Sequence, residues 1–341
     1  MGTTTRNPVY RMWVQDESCP IIVKWFLPEF DPFYRNRYRR EEKILWLLNQ
    51  WFSNRVPELY GGAVTNDFAV LIEQDVGTKS LDCMLNTITD KTHKFDISSQ
   101  GVEFLADFHR VCQKHYTVFY RVCYSTNLDR LTLKTYLRRA KIAIGRLLLL
   151  NKVLEKKFTA NQAIKVNIAQ LETIAIDELG DKFFEWYTAN VIAPLIRTPR
   201  QIVHNSFSPF HLIWSDHWSL IDFETMSVGA TQIDLAEFVG SPKLTLSNEY
   251  QYLLIEKYYK LRDYSHQSLW SEFLKNYYNA LATRSLDYLG TTAFLGVRYI
   301  SQQQDDKVRL NLERARQYRS RMIEALKNNY GNNLPSDIPH V

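Results

Sequence analysis

The chain has 341 residues, with 42 Lys+Arg against 37 Asp+Glu for a formal charge of +5, and it is 45% apolar and 23% charged. That balance excludes a mostly disordered chain and makes no case for nucleic acid as a partner. With 12 glycines and 11 prolines, turn-formers are too scarce for an all-β sandwich or propeller, so a helix-rich fold of about two domains is expected.

In chain order, Tyr10 to Val14 is a short β-like run, Gln15 to Pro20 is polar and turn-like, and Ile21 to Phe26 is β-branched and aromatic. Together they predict an antiparallel hairpin. The run Arg35, Arg37, Arg39, Arg40 is followed at once by Glu41 and Glu42 and is read as a solvated helix start. From Arg39 to Phe52 the apolar residues recur at amphipathic-helix spacing. Ala69 to Ile72 is a short buried-type strand that runs into a polar connector near residues 73–78.

From about residue 98 the pattern turns helical: Gly101 to His115, then Leu128 to Leu154 with a break expected at Gly145, then two helices over Ala163 to Asn190. A strand-like interlude from His204 to Glu224 precedes further helices to about Asn328. The apolar run Ile142 to Leu150 is far short of the roughly 20 residues that span a bilayer. Met1 to Pro8 has no apolar signal core, so a cytoplasmic protein is expected. Cys19, Cys83, Cys112 and Cys123 form no C-x-x-C pair and read as reduced thiols.

The chemistry concentrates between Ile202 and Gly240. Two strand-like pieces, Leu212-Ile213-Trp214 and Ser219-Leu220-Ile221, are joined by the turn Ser215-Asp216-His217. Asp222 and Glu224 follow, two apart, and residues so spaced on an extended strand share a face. Two carboxylates held that way suit a hard divalent cation such as Mg²⁺. An isolated D-x-E is common, and on its own reads as solvated loop acids.

The same segment resembles the catalytic core of the aminoglycoside phosphotransferase and choline kinase family, which has the protein-kinase-like fold. The resemblance rests on His204, Pro209, Leu212-Ile213-Trp214, Ile221-Asp222-Phe223-Glu224 and Asp234-Leu235-Ala236 in register. Val56-Pro57-Glu58-Leu59 and Leu105-Ala106-Asp107-Phe108-His109 extend it. It implies an α+β fold: a small β-rich N-lobe (1–76), a helical C-lobe carrying the catalytic-loop hairpin (77–330), and a loose tail (331–341).

It also implies ATP and Mg²⁺ as cofactors, with a small-molecule alcohol or amine as phosphate acceptor. Lys24 then meets the nucleotide phosphates, and Glu41, ahead of Glu42, is its carboxylate partner. The connector, with Glu73 and Asp75, faces the adenine. Asp222 and Glu224 hold metal, while His204, His109 and Asp234 are architectural. Gly2 to Asn7 resembles the end of the phosphate-covering loop, with no residues before it for the usual first strand.

Three positions depart from the family. Ser206 stands where the resemblance expects the catalytic Asp, His211 where it expects the metal-binding Asn, and Asn205 where it expects Gly. A serine hydroxyl is a very poor base at neutral pH, and imidazole is a poor ligand for Mg²⁺. The reading favoured is a catalytically impaired pseudokinase that binds ATP and acts through ligand or partner binding. The competing readings are an active small-molecule phosphotransferase in which His211, His204 or Glu224 takes the proton, and a structural, protein-partner-binding chain with a dead cleft.

Overall fold

The computed structural model describes residues 7–15, 19–126, 131–157, 181–263, 269–302 and 304–331. The chain divides into two compact units, residues 1–130 with 200–266 and residues 131–199 with 267–341. The lobe boundary expected at 76/77 falls inside the first unit.

The first unit opens on a four-stranded antiparallel sheet of β1 (Val9–Met12), β2 (Ile21–Phe26), β3 (Leu59–Val64) and β4 (Ala69–Gln74), in the order β1-β2-β4-β3. The expected hairpin is β1 with β2. Lys24 lies opposite Leu71 and Ile22 opposite Glu73, so these side chains share one face. β4 runs to Gln74, past the expected start of the connector, because Glu73 sits in register with both Ile22 and Leu59. Continuous pairing outweighs its polar side chain. β3 went unread: its two glycines and a register shift at Leu59/Gly61 carry little strand signal. Gly62 is needed there, since a Cβ would lie 2.6 Å from both the Tyr38 hydroxyl and the Val70 carbonyl.

Helix α1 (Tyr34–Trp51) buries Ile44, Leu45, Leu47 and Leu48. It begins before Arg39 because Asp31 organises its entry, accepting the Phe33 amide at 2.8 Å and pairing with Arg37. The solvated reading of the arginine run is therefore corrected. Arg40 is 1% exposed and donates to the Met226 carbonyl at 2.8 Å, the Cys123 carbonyl at 3.2 Å and Thr126 Oγ1 at 2.9 Å. Arg40→Ala would orphan those acceptors, and a chemical-denaturation curve is expected to show a loss of about 3 kcal/mol or more.

β5 (Lys79–Ser80), α2 (Leu81–Thr87), α3 (Lys91–Lys114) and α4 (Tyr116–Ser125) follow. α3 starts well before Gly101 because Asp90 caps it, accepting from the Thr92 and His93 amides. After residue 200 the unit continues with β6 (Gln201–Val203), β7 (Leu212–Trp214), β8 (Trp218–Leu220), β9 (Ser227–Gly229), α8 (Gln232–Val239) and α9 (Asn248–Leu261). The predicted strand pair is β7 with β8, joined by β5. β6 pairs with β9. Together they frame the loop 204–211.

The second unit is helical: α5 (Leu133–Lys157), α6 (Asp181–Tyr187), a π-helical turn (Thr188–Ile192), α7 (Ala193–Arg197), α10 (Trp270–Ser301) and α11 (Asp305–Tyr330). α5 passes through Gly145 without the expected break. Space for a Cβ is open there, and nothing else forces the backbone out of the helix. Most of the Ala163 to Asn190 reading and the tail lie outside the described residues. No helix among the described residues is long and apolar enough to cross a membrane. Cys19 and Cys83 are exposed, and Cys112 and Cys123 are buried thiols.

Candidate functional site

The site is built around one buried lysine. Lys24 is 7% exposed on β2, and its Nζ donates to both Glu41 oxygens at 2.9 Å and to Asp222 Oδ1 at 2.5 Å. Strand, helix α1 and the segment after β8 thus converge on one atom. Asp222 has φ 72° and ψ 65°, a left-handed conformation that aspartate tolerates better than most residues. Glu224, two residues on, accepts Asn7 Nδ2 at 2.7 Å and lies 3.7 Å from Arg37. One carboxylate oxygen each from Glu41, Asp222 and Glu224 all lie within 4.8 Å of one another. Hard oxygen donors at this separation suit a divalent cation such as Mg²⁺.

Negative charge is in surplus, because Lys24 faces Glu41, Glu73, Asp222 and Glu224. Burial alone would lower the Lys24 ammonium, but Asp222 and then Glu41 outweigh it and hold it well above its usual value. Burial would raise Asp222; Lys24 first and His211 next hold it well below the carboxylate range. The other acids absorb the surplus. Burial pushes Glu41 up to about 8 and Glu73 to about 7, and it raises Glu224. The bidentate contact with Lys24 favours a charged Glu41.

The loop that carries Ser206 is pinned from below. Asp234 accepts the His204 amide and the Asn205 amide at 2.7 Å each, and His109 Nε2 at 3.0 Å. His109 Nδ1 meets the Tyr258 hydroxyl at 2.6 Å. Asn205 sits at φ 64°, a left-handed conformation that glycine and asparagine adopt more readily than most residues.

His204 is fully buried, with Nε2 3.0 Å from the Ile221 carbonyl and Nδ1 without a partner among the described residues. Burial, then His211, lowers its pKa from 6.5 to about 4. The unfolded chain therefore binds more protons between those values, so stability falls as pH drops from 6.5 toward 4. The loss from this residue reaches about 3 kcal/mol. Urea midpoints followed over that range are expected to be flatter with pH in His204→Leu than in wild type.

The structure thus brings together Lys24, Glu41, Glu73, Asp222 and Glu224, with His211 beside them. His211 Nδ1 lies 2.5 Å from the Ser206 carbonyl, so that nitrogen carries the hydrogen. Its Nε2 faces Asp222 Oδ2 at 3.5 Å. The Ser206 hydroxyl makes no hydrogen bond among the described residues. Asp75 stands apart: its side chain pairs with Arg11 and accepts the Gly77 amide at 2.9 Å, tying the connector to β1. Asn7 and Arg37, which attend Glu224, were not singled out from sequence. Arg37 lies in no matched block; Asn7 ends the stretch that resembles the phosphate-covering loop, but it reaches Glu224 across a separation of 217 residues.

The phosphotransferase enzyme family matches residues 100–255, a little under half of the chain. This segment is similar to the phosphotransferase enzyme family. The match spans the whole Ser206 loop, Asp222, Glu224 and Asp234, whereas Lys24 and Glu41 lie before it. No curated protein matches the chain significantly.

Among solved structures, the chain is similar to an aminoglycoside-3'-phosphotransferase of type VIII at 13% identity and TM-score 0.45, covering 81% of this chain and 93% of that one. It is also similar to aminoglycoside phosphotransferase APH(3'')-Id from Streptomyces rimosus ATCC10970 in complex with ADP and streptomycin, at 13% identity and TM-score 0.43, covering 77% and 86%. A second structure of that protein gives 12% identity and TM-score 0.43, covering 81% and 92%. Likeness this distant decides nothing about chemistry. The likeness to the phosphotransferase family rests on the sequence match over residues 100–255, beside a mixed α+β chain with a small antiparallel sheet ahead of mostly helical sequence.

Proposed function

We propose that this phosphotransferase-family chain binds ATP with a divalent cation and transfers phosphate poorly, acting as a pseudokinase. The observation that carries the reading is Lys24 Nζ held between Glu41 at 2.9 Å and Asp222 at 2.5 Å, with serine in place of the acid on the adjacent loop. In such a site Lys24 would neutralise nucleotide phosphates, and Asp222 with Glu224 would hold a divalent cation that offsets the charge developing on them. Ser206 can donate or accept a hydrogen bond, but it cannot take the acceptor's proton at neutral pH.

His211 favours a second reading, an active enzyme with a rearranged base or metal. Its Nε2 and Asp222 Oδ2 face each other 3.5 Å apart, a pair that a cation could join. A nitrogen donor suits Mn²⁺ better than Mg²⁺. His204 does not compete for this role, because it is sealed from solvent and bonded to the Ile221 carbonyl.

Consumption of ATP by the wild-type chain, with Mg²⁺ and then Mn²⁺, over a panel of small alcohols and amino sugars, separates the two. The pseudokinase reading expects turnover far below the roughly 1–100 s⁻¹ usual for kinases. Turnover within that range, with either metal, sinks it. The acceptor would then be whichever alcohol or amine supports the rate.

A further inference from the structure

Asn7 brings one more oxygen to the acidic cluster. The residue is 4% exposed, and its Nδ2 donates to Glu224 Oε2 at 2.7 Å. Its other amide atom, Oδ1, is buried and has no hydrogen-bond partner among the described residues. A buried acceptor left without a donor is costly, so the position favours a group that bonds to acceptors. The three hydrogens of the Lys24 ammonium are already taken, two by Glu41 and one by Asp222. Oδ1 shares a carbon with Nδ2, so it stands one amide group away from Glu224. Glu224 in turn has a carboxylate oxygen within 4.8 Å of one from Glu41 and one from Asp222.

A phosphate at neutral pH offers mainly acceptors and does not satisfy Oδ1. A hard cation does, because carboxylate, carbonyl and water oxygens are the ligands that suit Mg²⁺. The resemblance expects a carboxamide oxygen at position 211, where this chain has histidine. We infer that Asn7 Oδ1 is a ligand of the divalent cation held by Asp222 and Glu224, so that the carboxamide missing from the Ser206 loop is supplied from ahead of β1. Nδ2 keeps its bond to Glu224, so one side chain both ligates the cation and steadies a second ligand. The inference rests on the metal part of the reading above and does not involve the nucleotide.

Calorimetric titrations of Mg²⁺ into wild type, Asn7→Ala, Asn7→Asp and Asp222→Asn measure affinity. With no nucleotide present, no sugar hydroxyl can satisfy Oδ1 instead. Asn7→Ala is expected to bind Mg²⁺ about 10-fold more weakly, or worse. Asn7→Asp keeps an oxygen but has no N–H for Glu224, and it is expected to bind at least as tightly as wild type. Weakening alone would also follow from a side chain that only steadies Glu224. Terbium luminescence lifetimes in H₂O and D₂O decide between the two, because they count the waters on a bound hard cation. If Asn7 ligates, Tb³⁺ on Asn7→Ala carries one more water than on wild type, and on Asn7→Asp the same number. Asp222→Asn shows which part of each signal belongs to this site.

An unchanged water count in Asn7→Ala overturns the inference, as does Mg²⁺ binding by Asn7→Asp as weak as that by Asn7→Ala. If wild type binds both cations and Asn7→Ala binds them equally well, only the Asn7 assignment fails. If wild type binds neither cation, the metal site is refuted together with the assignment, and ATP titrated without metal judges the nucleotide site by itself.

Discussion

Ser206→Asp combined with His211→Asn is expected to raise phosphoryl transfer by about 10²–10⁴-fold, the usual worth of a positioned general base. The site is otherwise furnished. Lys24, Glu41 and Asp222 already meet, and Asp234 holds the amides of His204 and Asn205 at 2.7 Å, so the loop's path does not depend on residue 206. The Ser206 hydroxyl is not committed to any neighbour among the described residues, so a carboxylate displaces no hydrogen bond. Both changes are needed. Ser206→Asp alone adds another negative charge to a set already in surplus. His211→Asn supplies an oxygen ligand for Mg²⁺ and can still donate to the Ser206 carbonyl through its amide. Paired rates of ATP consumption for wild type and the double variant check this. No gain in a variant that folds and binds ATP would mean that the impairment lies elsewhere.

Lys24→Met is expected to destabilise the chain by about 3–5 kcal/mol, the typical cost of removing one partner from a buried ion pair. The cost comes from what is left behind. Glu41 has 0% side-chain exposure and loses both of its lysine contacts, and Asp222 loses the nearest cation. Lys24→Met with Glu41→Leu should therefore cost less than the two single changes added together, since the pair is removed as a unit. Urea unfolding of the four proteins measures this coupling. Additive effects would show that Lys24 and Glu41 are near one another without depending on one another.

The parts of the molecule legible from sequence are those where local pattern and tertiary role agree. Ile21 to Phe26 is β-branched and aromatic, and it forms β2 over those residues. The 204–236 blocks were legible because their spacing is fixed by a loop whose backbone hangs on Asp234. What stayed hidden depends on partners far along the chain. Arg40 looks like a surface arginine until the carbonyls of Cys123 and Met226 surround it. Glu73 looks like connector until strands on both sides take its backbone into the sheet. Asp75 was expected at a nucleotide, and its partner, Arg11, stands on an edge strand whose sequence carries no hint of that contact. Gly145 shows the reverse case, a residue with a strong local signal and no structural consequence.

The most direct test is a calorimetric titration of ATP into wild type and Asp222→Asn, each with and without Mg²⁺. The account predicts that wild type binds ATP more tightly with Mg²⁺ than without it, and that Asp222→Asn loses most of that metal-dependent gain while remaining folded. Identical ATP binding in all four titrations, or none in any, would contradict it.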